Sequence, residues 1–160
     1  MWVDFDKISI NSRVWVFQSD SILKTEDQDI IDEHIKLFIE KWSSHGAQMY
    51  ASHTIIYNCF VVIAADEEKQ CASGCSIDSF TSLFKALGEQ LNLSFFDRFA
   101  IAHKSGGEFF VSALEDFKTL IKEGVVTENT IVFNNLVATK EEFINSWELP
   151  IKKSWQKRYL

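Results

Sequence analysis

One segment near the N-terminus constrains the fold of this chain more than any other. Between positions 25 and 46, apolar side chains recur three and four residues apart: Ile31, Ile35, Phe38 and Trp42. That spacing places them on one face of a long helix. Thr25 and Gln28 match a capping box at its start, and Gly46 suits a left-handed residue at its end. A helix with one apolar face has to bury that face, so the sequence predicts a second layer for it to cover.

The second layer is predicted from runs of β-branched and aromatic residues. Residues 13–18 form the first run, and residues 47–57 and 59–65 form two more around Asn58, which suggests a hairpin or a bulged pair. A second helix then carries one apolar face: Phe80, Leu83, Phe84, Leu87 and Leu91. Residues 99–102 and 108–111 flank Ser105-Gly-Gly, which suits the turn of a second hairpin. The order β-α-β-β-α-β with one added strand matches a ferredoxin-like arrangement.

The remainder of the chain is predicted to be mainly helical. Ser112 with Glu115, and Thr139 with Glu142, have the spacing of capping boxes, with a short strand at residues 130–133 between the two helices. We therefore predict an α+β two-layer sandwich: a ferredoxin-like βαββαβ core, a mainly antiparallel sheet and C-terminal helices, with the helices on one sheet face. The main alternative places the C-terminal helices across both faces. One proline and six glycines leave no flexible linker, so residues 1–160 are predicted to form one domain.

The charge of the chain limits the kinds of partner that it can bind. The formal net charge of −7 disfavours a nucleic-acid partner. The basic residues near the C-terminus, interleaved with Trp155 and Tyr159, could hold a nucleic-acid backbone or an acidic partner, but a solvated end is favoured. The acidic residues at positions 26–33 suit the first turn and solvated face of a helix better than a metal site. No metal and no cofactor are predicted.

Compartment is inferred from three features. Three cysteines, an odd number, argue against a disulfide framework. Apolar runs such as Phe60 to Ala65 are too short to cross a bilayer, so no membrane insertion is predicted. Asp4 and Asp6 lie where a signal peptide would be apolar. We predict a cytoplasmic protein.

A cysteine at the entry to the second helix is the main candidate for chemistry. Ser76 or Asp78 is predicted to be the N-cap, so that free backbone N–H groups point toward the preceding loop. A helix N-terminus attracts anions and favours a thiolate, which makes Cys75 a candidate nucleophile or redox thiol. Ser73, Gly74 and Ser76 would supply backbone donors to a bound anion or oxyanion. The favoured alternative is that these residues build a helix entry and that Cys75 is a small buried filler.

A thiol nucleophile also needs a neighbouring base. His53 and His103 lie in strand-like runs, where alternation could place them on one sheet face. Asn134 and Asn135 follow a predicted strand, so a turn is favoured, although their amides could also serve a ligand carbonyl or phosphate. Whether any of these side chains lies near Cys75 is left open by the sequence.

Several segments together resemble a family of short uncharacterised bacterial proteins from Bacteroidetes: residues 13–16, 72–78, 97–98, 130–137 and 154–155. The resemblance spans nearly the whole chain, and its most specific parts are Ser-Gly-Cys-Ser-Ile-Asp at 73–78 and Phe-Asn-Asn-Leu-Val at 133–137. Members commonly carry the label "ABC transporter ATPase". That label conflicts with this sequence, which has no Gly-x4-Gly-Lys-Ser/Thr string to wrap the phosphates of a nucleotide. We reject ATPase activity.

Two functions follow from these observations. The first is a small cytoplasmic binding or accessory module without catalysis, whose partner is an unknown protein or a small anionic ligand. Homodimerisation is a related expectation, because fourteen Phe, five Trp and three Tyr are many aromatic residues for one small core. The second is a thiol-dependent enzyme or redox sensor that uses Cys75 at the helix N-terminus.

Overall fold

The computed structural model describes residues 1–160, and its main strands form two antiparallel sheets. The strands are β1 (Arg13–Gln18), β2 (Ser43–Ser44), β3 (Ala47–Gln48), β4 (Ala51–Ile56), β5 (Phe60–Ala65), β6 (Ala100–Ser105), β7 (Glu108–Ala113), β8 (Ile131–Phe133) and β9 (Glu148–Pro150). The α-helices are α1 (Thr25–Lys41), α2 (Gly74–Leu91), α3 (Leu114–Lys122) and α4 (Lys140–Ser146). Two 3-10 helices, Ile151–Lys153 and Trp155–Tyr159, complete the chain.

The first sheet has the strand order β1-β5-β4. Its central strand β5 pairs along its whole length with both neighbours, and all six of its residues are buried. Val61, Ile63 and Ala65 pack with α1 and α2 in what we call the helix-side core. The alternate residues of β5 pack toward the second sheet, in the inter-sheet core. A strand that is covered on both faces consists of consecutive apolar residues, as β5 does.

The second sheet has the order β7-β6-β8-β9 and lies against the first. Ala102 and Phe133 point into the inter-sheet core, whereas the neighbouring residues Ile101 and Val132 point the other way. On that outer face they pack with Phe117 of α3 and with residues near the C-terminus. The chain thus forms four layers, with helices outside and two sheets inside.

The predicted α+β class and the antiparallel pairing are confirmed. The predicted two-layer, ferredoxin-like core is wrong, because the strands before and after α2 form separate sheets and not one. The apolar run of β5 needs cover on both faces, so the later strands stack on the first sheet and do not extend it. Helices consequently lie on both outer faces, and the expectation of helices on one sheet face is also wrong.

Several predicted helix ends differ from the structure. Helix α1 begins after Lys24 without a side-chain cap, and the Gln28 side chain donates to the Leu23 carbonyl. It ends at Lys41, and Gly46 instead occupies the β2–β3 turn with φ 79°. Ser112 does not cap α3, because its hydroxyl is bonded to the ring of His103. By contrast, Thr139 caps α4 as predicted.

Candidate functional site

Strands β6 and β8 pair at only two positions, and a cleft opens where that pairing ends. His103 lies opposite Val132, and Lys104 lies opposite Ile131. Residues 100–102 have no partner strand on this side, because the chain after Phe133 turns toward Trp147 and bonds to its carbonyl. The cleft has a volume of about 450 Å³. Its lining comes from both sheets, the loop before β6 and the C-terminal 3-10 helix.

The walls of the cleft are largely apolar, and some of them are open to water. Val16, Ala102 and Phe133 contribute the deeper apolar surface. At the mouth, 44% of Phe96, 46% of Trp155 and 85% of Leu136 is exposed. Exposed apolar residues are common singly, but a group of them around one cleft marks an interaction site.

Two side-chain amides bridge the gap between the diverging chain segments. Gln18 Nε2 donates to the Ala100 carbonyl at 2.8 Å, and Asn135 Nδ2 donates to Gln18 Oε1 at 3.1 Å. Asn135 Oδ1 in turn accepts from Trp147 Nε1 at 3.0 Å. Each amide group keeps a second N–H that these bonds do not use. The cleft therefore contains oriented polar groups as well as apolar walls.

A buried polar atom next to the cleft lacks a partner. Gln156 lines the cleft and is only 5% exposed, yet its Oε1 accepts no hydrogen bond. Leaving a buried acceptor unpaired costs about 1–3 kcal/mol, so such groups are few in native proteins. A donor from a bound molecule would remove that cost.

A cationic side chain at the mouth is also free. Arg98 is exposed, lines the cleft and forms no salt bridge. The neighbouring Asp97 is held by its own loop, where its Oδ1 accepts from the backbone N–H of Phe99 at 2.8 Å. A guanidinium without a protein partner can bind a carboxylate or a phosphate in a bidentate way.

The structure places the predicted thiol site at the start of α2. Ser73 is the N-cap, and it forms a reciprocal capping box with Ser76, so the prediction of Ser76 or Asp78 as the cap is wrong. Gly74 and Cys75 are the first two helical residues. Cys75 is exposed, which contradicts the favoured interpretation of a buried filler.

No histidine or asparagine is hydrogen-bonded to Cys75. His53 of β4 accepts from Trp2 Nε1 at 3.0 Å and is paired with Asp32, while His103 of β6 is bonded to Ser112. The two histidines lie in different sheets, so their predicted placement on one sheet face is wrong. Burial lowers the pKa of both imidazoles, that of His103 to about 4.

The two asparagines belong to the cleft region. The side chain of Asn134 accepts from the backbone N–H of Leu136 at 3.2 Å and forms the predicted turn. Asn135, singled out from the sequence as a ligand-binding amide, lines the cleft. Sequence reasoning missed Gln18, Arg98 and Gln156, since nothing in their local sequence indicates a cleft. For Trp155, the one signal in the sequence is its position among the basic residues near the C-terminus.

Two other kinds of feature are absent from the structure. No group of three or more His, Cys, Asp and Glu side chains is arranged to hold a metal ion. None of the helices combines the length and hydropathy that spanning a membrane requires.

Comparison with protein-family models, with curated proteins and with solved structures found no match.

Proposed function

We propose that this protein is a non-catalytic binding module and that the cleft beside β6 is its binding site. The single observation that carries the proposal is Gln156, which lines the apolar cleft and whose buried Oε1 has no hydrogen-bond partner. The proposal includes no ATP hydrolysis, because the chain has no P-loop sequence.

The energetics of the cleft residues support this proposal. An apolar side chain of similar size at position 156 would avoid the cost of an unpaired buried acceptor. Half-exposed Phe96 and Trp155 forgo burial that is worth about 25 cal/mol for each Å² of apolar surface. A ligand with an apolar body and a hydrogen-bond donor would offset both costs together.

The charge at the mouth indicates the rest of the ligand. Arg98 faces the solvent beside the apolar walls and has no carboxylate partner in the chain. An anionic group on the ligand would supply that partner. This agrees with the expectation of a small anionic ligand.

Binding of 1-anilinonaphthalene-8-sulfonate, an aromatic anion, tests the proposal. We expect saturable binding to the native chain, followed by the increase in dye fluorescence. Trp155→Ala and Arg98→Glu are each expected to weaken the dye about fivefold or more, or by about 1 kcal/mol. Ile144→Ala is the matched control, because Ile144 is an exposed apolar residue on α4 that does not line the cleft. Equal binding by all four proteins, or no binding to the native chain, would overturn the proposal.

The exposure of Cys75 favours a second candidate, a thiol-dependent enzyme or redox sensor. The capping box uses the backbone N–H groups of Ser73 and Ser76, so among the three predicted donors only Gly74 keeps its N–H for a ligand, and Asp78 lies one turn further along. Cys71 is also exposed and serves as the internal reference. The rate of iodoacetamide labelling would be measured across pH for two variants. Cys71→Ser leaves Cys75 as the exposed thiol, and Cys75→Ser leaves Cys71. Faster labelling of Cys75 than of Cys71 at neutral pH supports the thiol function, whereas the same dependence of labelling rate on pH in both variants excludes it.

The remaining parts of the proposal rest on the sequence. We propose membership of the Bacteroidetes family described above, a cytoplasmic location and a homodimer. Exposed aromatic residues such as Phe99, of which 65% is exposed, would contribute to the dimer contact. Light scattering that gives only the 18.4 kDa species at high concentration would exclude the homodimer.

A further inference from the structure

We infer that the cleft takes an extended peptide, which pairs with the open edge of β6 and brings an acidic group to Arg98. The inference rests on the proposed function and adds the class of the ligand. It is carried by strand pairing, by the position of the Gln18 amide and by the two chemically different faces of the cleft.

The first observation is the open edge of β6. Ala100, Ile101 and Ala102 pair with Ala113, Ser112 and Val111 of β7, which holds them in an extended conformation. On the opposite side, pairing with β8 stops at His103. A strand that is paired on one side only presents backbone groups to any extended chain that can reach it. Addition of a peptide strand to such an edge is a recurrent mode of recognition.

The second observation is the carboxamide of Gln18, which stands in the gap. Its N–H donates to the Ala100 carbonyl, and its oxygen accepts from Asn135. A carboxamide has the same donor and acceptor as a peptide group. Gln18 therefore occupies the place of one peptide unit between β6 and the segment that follows β8, and an added strand would take over its hydrogen bonds.

The third observation is the difference between the two faces that such a strand would meet. Successive side chains of a strand point to opposite faces of a sheet. On one face lie Val16 and Phe133, which are apolar. On the other lie Trp155 and the unpartnered Gln156, in the C-terminal 3-10 helix. An added strand would thus place apolar residues on one face and an aromatic residue or a donor on the other.

Charge selects among extended peptides. Arg98 is the unpaired cation at the mouth, while Asp97 is engaged with the backbone of its own loop. An acidic side chain or a terminal carboxylate at the end of the peptide would complete the contact with Arg98. Basic peptides would lack this contact.

A random decapeptide phage library, selected on the immobilised full-length chain, provides the probe. We expect the enriched peptides to combine apolar or aromatic residues at alternate positions with an acidic residue. Arg98→Glu is expected to weaken an enriched peptide at least tenfold, while the control Lys157→Glu, an exposed basic residue outside the cleft lining, leaves it unchanged. No enrichment, or enriched peptides that bind Arg98→Glu equally well, would overturn the inference.

N-methylation of each peptide N–H in turn tests strand pairing itself. Since only alternate N–H groups of a strand face one neighbour and the open edge spans residues 100–102, we expect affinity losses of about tenfold at one or two alternate residues and small changes elsewhere. Uniform small effects would show that the peptide does not pair with β6 and would overturn the inference. If the dye binds the cleft and no peptide does, the proposed function stands and the peptide inference alone fails.

Discussion

The helix-side core and the mouth of the cleft both use aromatic side chains, but only the first encloses them fully. In the helix-side core Phe17 stacks on Phe84 with centroids 3.8 Å apart, and Trp42 meets Phe80 edge-on at 5.3 Å. Trp42 Nε1 also donates to the Ser76 carbonyl at 2.9 Å. Trp155 at the cleft, in contrast, is half-exposed and has one aromatic neighbour, Tyr159. Aromatic residues that stabilise the fold are thus fully enclosed, whereas Trp155 stays accessible to solvent.

The largest expected effect lies in the helix-side core. Phe84 is fully buried there, so Phe84→Ala removes its contacts and leaves a cavity. We expect the free energy of unfolding to fall by about 3–5 kcal/mol, as measured by urea denaturation. A loss below about 1 kcal/mol would show that this core is no better packed than the cleft.

A smaller loss of stability is expected at low pH, and it comes from His103 of β6. Its pKa is lowered from 6.5 to about 4 by burial, so the folded protein binds this proton less readily than the unfolded chain. The stabilising contribution is complete above about pH 6.5 and is lost as pH falls toward 4, an overall change of about 3 kcal/mol. His53, whose pKa is also lowered by burial, acts in the same direction.

His103→Gln isolates this contribution from that of the carboxylates. Urea unfolding at pH values between 7.5 and 4 should show a shallower loss of stability for the variant than for the native chain. Parallel curves for the two proteins would contradict the assignment of the acid sensitivity to His103.

Substitution of Gln156 is expected to raise the free energy of unfolding, whereas Phe84→Ala lowers it. Gln156→Met removes the unpartnered acceptor and keeps a side chain of similar length, so we expect a gain in stability of about 1 kcal/mol together with weaker ligand binding. A destabilised variant would show that the amide of Gln156 contributes to the fold, and its role in binding would then lose its support.

The smallest effect on stability is expected at the mouth of the cleft. Trp155→Ala should change the free energy of unfolding by less than about 1 kcal/mol, because nearly half of the side chain is already in water. A loss comparable to that of Phe84→Ala would mean that Trp155 is a core residue.

The sequence predicts the parts of the fold that depend on local patterns. The apolar face of α2 and the hairpin turn at Gly106 follow from residue spacing and turn chemistry, and both are present. Gly46 shows the limit of such local patterns. A left-handed glycine suits both a helix end, where the sequence predicts it, and a hairpin turn, where it lies.

The division into two sheets depends on pairing between distant segments, which local patterns do not specify. The continuous apolar run of β5 was the available sign that both faces are covered. At the candidate site, the sequence predicts an amide pair at Asn134 and Asn135. Gln18 and Gln156 line the cleft beside Asn135 only because the pairing of β6 with β8 ends at His103 and leaves residues 100–102 unpaired on that side. That divergence has no signature in the residues that line the cleft.

The most direct test of the binding site is a titration of the ¹⁵N-labelled chain with the dye, followed by NMR. We expect the indole N–H resonance of Trp155 and the side-chain amide of Gln156 to shift with one common saturation curve. The indole N–H of Trp42, which is enclosed in the helix-side core, should not move. Shifts at Trp42 with none at Trp155 or Gln156 would contradict the assignment of the cleft as the binding site.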